Sequence, residues 1–264
     1  MIAHGVRAEF IGATGQRLFV LLRAPDEASG ECVLVVPPFA EEMNKSRKLV
    51  TDFARHERRK GRGVLCVDLS GTGDSDGEFA AARVGRWIED LAAAAEWSAA
   101  RGWRVTSMLG IRMGAILAAM LARQRDMSLS HAVFWQPVTN GARLLDQFLR
   151  VRVMASRMER DRNETVAGLR ASLQAGETVE VAGYALSGAL CADIDALDLA
   201  AALTPSFAPI RWLDVVADAA APVAPGTQRA IDKARAIGCE IEHVQVTGEP
   251  FWMATESVTS PALA

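Results

Sequence analysis

The five residues Gly110-Ile111-Arg112-Met113-Gly114 constrain the fold of this chain more than any other feature. They follow the apolar run Val105 to Leu109 and precede a helical run from Ala115 to Arg123. A strand, a turn bounded by two glycines and a helix make a sharp bend that presents its central residue, because glycine tolerates the bend and lets helix and strand pack closely. At such a bend the presented residue is ordinarily a serine that attacks a carbonyl. Here it is Arg112, whose guanidinium stays protonated and has no free lone pair. The bend is predicted to keep its geometry while a permanent cation stands in place of the attacking oxygen.

The rest of the chain alternates in the same way. Arg7 to Ile11 and Gln16 to Leu22 form a hairpin pattern around Ala13-Thr14-Gly15. Cys32 to Val36 is a short, continuously apolar run, as expected of a strand buried on both faces, and Val64 to Asp68 is the next buried strand. Between them Asn44 to Arg58 reads as a charged amphipathic helix, and Val84 to Arg101 as an alanine-rich one. Arg104 to Leu109 feeds the bend, and Ala132 to Trp135 is the next strand. Alternation stops at Pro137 and resumes with a strand at Ile210 to Val216, a helix at Thr227 to Ile237 and a strand at Glu240 to Val246. A last helix is expected from about Trp252, although Pro261 interrupts it. Strands alternating with helices imply a mainly parallel, doubly wound sheet. Together with the bend they give the fold class α/β, specifically an α/β-hydrolase fold. Residues 1–136 and 204–264 are expected to form the core, and 137–203 a helical cap inserted into it.

With 264 residues, half of them hydrophobic, the chain can bury one large core. A formal net charge of -3 gives no global basic field for nucleic acid or an anionic membrane. The first residues lack a signal-peptide core, and no apolar run is long enough for a membrane span, so a cytoplasmic protein without membrane insertion is expected. The four cysteines, Cys32, Cys66, Cys191 and Cys239, are scattered with no C-x-x-C pair. Three fall in apparent strands and read as buried, inert thiols. Cys191 alone falls in a region expected to line a pocket, without a histidine to activate it.

In this architecture ligands sit beyond the carboxyl ends of the strands. The loop after Val36 reads Pro37-Pro38-Phe39-Ala40-Glu41-Glu42-Met43, and Phe39 or Ala40 would lend a backbone N–H to an oxyanion hole. Glu41 or Glu42 is expected to pair with Arg112; the alternative is that both are solvated acids at a helix start, stabilised by its dipole. Arg112 itself reads as an anion or carboxylate clamp at a helix N-terminus, or else as a vestigial turn residue in water. Met113 and Trp252 fall beside it as candidate ligand contacts. Asp218 stands where a triad acid belongs. The loop after Val246, Thr247-Gly248-Glu249-Pro250-Phe251-Trp252, holds no histidine, and Glu249 occupies the base's neighbourhood. His4, His56, His131 and His243 lie in the leading tail, a charged helix, the wrong end of a strand and the interior of the last strand. None is placed to serve as a base.

Gly71-Thr72-Gly73-Asp74-Ser75-Asp76-Gly77 lacks the lysine of a P-loop and the order of a dinucleotide loop, and reads as a structural turn. No cluster has metal-ligand spacing, and no metal or cofactor is expected.

Pro37 to Arg47, the Gly110 to Gly114 bend and Gly248-Glu249-Pro250-Phe251-Trp252 together resemble one family, with Gly183-Tyr184 and Leu186-Ser187 adding to the likeness. It is the second of the α/β-hydrolase-like families associated with the exosortase A system of bacterial exopolysaccharide loci. The resemblance implies an acyl or acyl-thioester ligand and, as a partner, an acyl carrier protein. Two functions are then expected to compete. One is a hydrolase or acyl-transfer enzyme that works on an ester or thioester without a Ser-His-Asp triad, using Arg112 with Glu41, Glu249 or Asp218. The other is an inactive relative that binds an anionic acyl ligand or a partner protein.

Overall fold

The computed structural model describes residues 5–25, 29–158 and 164–254, with 258, 260 and 263. Ten strands and eight α-helices are described. The chain opens with β1 (Gly5–Ile11) and β2 (Leu18–Ala24), an antiparallel hairpin. Then come β3 (Glu31–Val36), α1 (Glu42–Arg59), β4 (Gly63–Val67), α2 (Val84–Ala99), β5 (Arg104–Ile111), α3 (Gly114–Gln124) and β6 (His131–Trp135). The segment before the sheet resumes holds α4 (Gly141–Met158), α5 (Val166–Gln174), β7 (Val179–Val181), β8 (Tyr184–Leu186), α6 (Gly188–Asp195) and α7 (Leu199–Ala202). Finally β9 (Ile210–Val216), α8 (Pro225–Ala236) and β10 (Ile241–Thr247) complete the sheet.

Eight strands form one sheet in the order β1-β2-β4-β3-β5-β6-β9-β10. Only β1 against β2 and β2 against β4 are antiparallel. The other neighbours are parallel, and beyond their first residues β3 and β5 are buried throughout, as strands covered on both faces should be. Alternate side chains feed two cores. Leu34, Val36, Met108 and Phe134 face α2, α3 and α8. Val33, Val35, Leu109 and Trp135 face α1, where Phe53 meets Trp135 edge-on at 5.6 Å between ring centres.

Three expectations need correction. The segment between β6 and β9 is not purely helical and irregular: β7 and β8 form a small hairpin paired from Val179↔Leu186 to Val181↔Tyr184. Three-residue strands carry too short a pattern to stand out among helices. No helix starts at Trp252 among the described residues. Met253 donates its N–H to the Pro250 carbonyl at 2.8 Å, closing a turn, and much of the remaining tail, including Pro261, lies outside the described residues. Cys239 lies ahead of β10 rather than in a strand; Cys32 and Cys66 are in strands and Cys191 is buried in α6. Burial pushes the Cys191 and Cys66 thiols up to about 11.

The segment between β6 and β9 is tied to the sheet unit by charge and by aromatic rings. Arg83, just before α2, holds Asp193 of α6 through both carboxylate oxygens at 2.7 and 2.8 Å. Arg170 of α5 bridges Asp146 and Asp195 within the segment. Phe39, in the loop after β3, meets Phe148 of α4 at 5.1 Å, and Phe79 meets Tyr184 of β8 at 4.9 Å. No described helix is long and apolar enough to cross a membrane.

Candidate functional site

Arg112 has φ +54°, the left-handed region that a side-chain-bearing residue adopts only when its surroundings hold it there. The surroundings are tight. A Cβ on Gly114 would lie 2.2 Å from the Val36 carbonyl oxygen, and one on Gly110 would lie 2.6 Å from the Ala115 Cα. Glycine at both positions lets α3 sit against the ends of β3 and β5. Backbone bonds then pin the bend: the Arg112 N–H donates to the Trp135 carbonyl at 3.0 Å, and its own carbonyl accepts from Val138 at 3.1 Å.

The guanidinium does not point into water. Arg112 is only 7% exposed. Its Nε donates to Glu42 Oε1 at 3.2 Å, its Nη1 donates to the Gln136 carbonyl at 3.2 Å, and its plane lies 4.7 Å from the Trp252 ring centre. Ion pair, neutral acceptor and aromatic face together account for a buried cation. Gln136 itself has φ +44° and accepts from the Val215 N–H at 2.6 Å, which locks the carbonyl that Arg112 uses.

The acid partner comes from the loop after β3. Pro37-Pro38 end the strand, Ala40 takes φ +52°, and α1 begins at Glu42. That turn carries Glu42 inward. Burial raises its carboxyl above the ordinary range, and the neighbouring Glu41 adds to the rise, while the Arg112 charge and hydrogen bond oppose it. Glu42 Oε2 and Glu41 Oε2 are both buried, and neither has a hydrogen-bond partner among the described residues. Nor does any described acceptor take the backbone N–H of Ala40 or of Met113.

These groups line a cavity of about 670 Å³. Glu41, Glu42, Arg112 and Gln136 form its polar side, with Lys45, Gln147 and Arg150 around them. Phe39, Leu144, Phe148, Val151 and Trp252 form its apolar side. A larger groove of about 740 Å³ runs past the amino ends of the strands, beside His56 and His131, away from the bend.

Of the residues singled out in the sequence, Arg112, Glu41, Glu42, Phe39 and Trp252 come together at this cavity. Met113 is buried beneath the bend and Ala40 in the loop after β3, and neither is among the residues that line the cavity. Two others stand apart. Asp218 is exposed and its side chain accepts from the Ala220 N–H at 2.9 Å, closing its own turn. Glu249 is exposed on its loop, and no bond joins it to Arg112 among the described residues.

Sequence reasoning missed Gln136, Gln147 and Arg150, which carry no motif. It also missed Asp214, a buried acid in β9 that accepts from Trp212 Nε1 at 2.9 Å and lies 3.0 Å from His243 Nε2. An aspartate in the middle of an apolar strand was the available signal, since a buried carboxylate needs a partner. Among the other imidazoles, His131 lies 3.4 Å from Arg62 at the far end of the sheet, and His4 lies outside the described residues. No group of His, Cys, Asp and Glu among the described residues has the arrangement of a metal centre.

Comparison with known proteins fits this geometry. The sequence model of the Hydrolase_4 family, described as serine aminopeptidase, S33, matches residues 27–207. No curated protein matches. Solved structures do. Est1E from Butyrivibrio proteoclasticus with ferulic acid bound has a TM-score of 0.64 at 14% identity, with 92% of this chain and 90% of that one covered. An alpha-beta serine hydrolase homologue from Coxiella burnetii has a TM-score of 0.58 at 14% identity, with 96% and 92% covered. A thermostable carboxyl esterase from Bacillus coagulans has a TM-score of 0.62 at 13% identity, with 93% and 91% covered. At these identities the likeness is one of fold.

Proposed function

The chain belongs to the Hydrolase_4 (serine aminopeptidase, S33) family of α/β-hydrolases, and from that premise we propose that its site takes an acyl ester or thioester and works on it without a serine nucleophile. The observation that carries this reading is the buried Arg112–Glu42 pair at the bend. Arg112 fills the nucleophile's position and cannot attack. Glu42 can instead receive a proton. Its Oε2 is buried and unspent, the residue lines the cavity, and burial brings its carboxyl closer to the working range of a general base.

The step balances with water as the nucleophile. The water oxygen bonds to the acyl carbon while Glu42 Oε2 takes its proton. The resulting oxyanion is received by the backbone N–H groups of Ala40 and Met113. Collapse breaks the bond to the thiolate or alkoxide, which takes the proton back from Glu42. Arg112 is a positioning residue in this scheme: it holds Glu42 in place and favours its ionised form. Asp218 and Glu249 have no part in it. Residues 137–203 act as the cap, with Leu144, Phe148 and Val151 shaping the acyl side of the cavity.

The resemblance of Pro37 to Arg47, the bend and Gly248 to Trp252 to the exosortase A system-associated family supports the same ligand class. In that setting the acyl group would belong to an exopolysaccharide system and would arrive on a small carrier or an acyl carrier protein, in the cytoplasm.

A second reading has its own support. The Arg112 guanidinium already engages Glu42 through Nε, the Gln136 carbonyl through Nη1 and Trp252 through its face. A site so closed on itself suits an inactive relative that holds an acyl ligand or a partner without cleaving it. Purified protein offered short acyl thioesters and esters separates the two. Turnover that is lost in both Glu42→Gln and Arg112→Ala supports the hydrolase. No turnover, with a raised melting temperature in the presence of an acyl ligand, supports the binder.

A further inference from the structure

The cavity beside the bend has more to say about its ligand, on the premise that it is the acyl site. Its polar side contains two buried carboxylate oxygens, Glu41 Oε2 and Glu42 Oε2, without partners among the described residues. They come from adjacent residues on one turn, and Glu42 is more than nine-tenths buried. Arg112 already gives its Nε to Glu42 Oε1, its Nη1 to the Gln136 carbonyl and its face to Trp252, while Lys45 and Arg150 line the cavity around them. A carboxylate or phosphate head placed here would set acceptors against acceptors. A group that donates a hydrogen bond would fill the need of both oxygens, since an ionised carboxylate can only accept.

We propose that the ligand of this site carries a hydroxyl or amine near its acyl group, which donates a hydrogen bond to Glu41 Oε2 beside the Glu42 carboxylate. Glu41 is the specificity-determining residue. It makes no ion pair with Arg112, so it is free to read the ligand while Glu42 keeps the bend assembled. In the hydrolytic scheme Glu42 Oε2 receives the attacking water's proton and Glu41 Oε2 receives the ligand's donor. The rings of Phe39, Phe148 and Trp252 cover the hydrocarbon part. This departs from the sequence expectation of an anionic ligand: the arginine that suggested an anion is neutralised inside the protein.

The test uses six uncleavable probes of matched size: the dimethylamides of octanoic acid, of two hydroxyoctanoic and two aminooctanoic acids, and the half-dimethylamide of suberic acid. The hydroxyl or amine is placed in turn next to the amide and at the chain end. Binding is followed by calorimetry and melting temperature in mildly alkaline buffer, where carboxylates are ionised. The expected result is that a donor-bearing probe binds at least about tenfold tighter than the plain octanoyl probe, as a hydrogen bond to a charged acceptor allows. The hydroxyl and amine arms say which donor it is. Glu41→Gln should weaken the amine probe most, because it keeps an acceptor oxygen and loses the charge. Equal binding of plain and donor-bearing probes overturns the proposal and leaves the acyl site standing. Tightest binding of the suberic half-amide overturns it in favour of an anion clamp. No binding by any probe overturns both.

Discussion

Arg112 and Glu42, seventy positions apart in sequence, meet at 3.2 Å between Nε and Oε1 with each side chain about nine-tenths buried. The guanidinium that makes this bend unlike a serine elbow is thus part of a closed pair, and Trp252 covers its face. The pair should govern both the stability of the site and its chemistry.

Removing one member should cost more than removing both. Arg112→Met or Glu42→Leu alone leaves a buried charge without its partner and is expected to lower stability by about 3 kcal/mol. The double substitution should recover much of that loss, because two apolar groups replace two charges. Urea unfolding of the two single variants and the double variant measures the coupling. Additive effects would mean that the pair does not act as one unit.

Arg112→Ser should not yield an esterase. A serine at the bend needs an imidazole to take its proton. His243 is held by Asp214 inside the sheet, while His56 and His131 line the groove at the opposite end. Hydrolysis of a chromogenic acetate ester by Arg112→Ser should stay at the level of Arg112→Ala. A serine-dependent rate well above it would show that a base reaches the bend.

Gly114→Ala should be among the most damaging single methyl additions in the chain. The new carbon would meet the Val36 and Pro37 carbonyl oxygens at 2.2 and 2.7 Å, both on backbone that cannot swing aside. A loss of more than about 2 kcal/mol is expected, the scale of overpacking in a core. Gly85→Ala, with nothing within 4 Å, is the matched control in a helix and should be neutral or mildly stabilising. Thermal or urea melting of the two variants checks the contrast.

Stability should respond to pH through Glu42 with a definite sign. Its folded-state carboxyl is raised above the unfolded value, so the folded protein holds the proton more tightly. The stability this lends is complete below the unfolded carboxyl range, and is lost as pH rises through the higher folded value. Relative to Glu42→Gln, the native protein should therefore lose stability as pH rises above the ordinary carboxylate range. Arg112→Met should steepen that loss, because the opposing cation is gone. Asp76 has the opposite sign: Arg17 holds its carboxyl down to about 2, so its contribution is present above the unfolded range and fades in strong acid. Urea midpoints measured across the pH range read both effects, and a native curve parallel to that of Glu42→Gln would remove Glu42 as their source.

Much of the fold could be read before any coordinates. The runs at Cys32 to Val36 and Arg104 to Leu109 announced parallel strands, and outside residues 137–203 the expected strands and helices from Asn44 to Val246 fall within a few residues of their observed bounds. Short apolar runs and long amphipathic ones differ in period, and that difference survives in a single sequence. The β7–β8 hairpin was lost because six paired residues give too little pattern. The expected final helix was lost because Pro250-Phe251-Trp252-Met253 closes on itself as a turn, which apolar content alone does not reveal.

The site was legible only in part. Arg112 and the Glu41-Glu42 acids could be named, and one of the two was expected to pair with it. Position in a loop relative to the strand ends carries that much. Asp218 and Glu249 were named on the same ground and lie exposed, because loop position does not say whether a side chain turns inward.

By itself the sequence determined the alternation of strands and helices, the bend between β5 and α3, and the arginine at its centre. These depend on local pattern and on chemistry that one residue carries alone. Only the tertiary structure decided that Glu42 and not Glu41 takes the guanidinium, that Trp252 closes over it, and that Asp214 holds His243. Those choices are made between segments far apart in sequence, where packing selects one partner among chemically equal candidates.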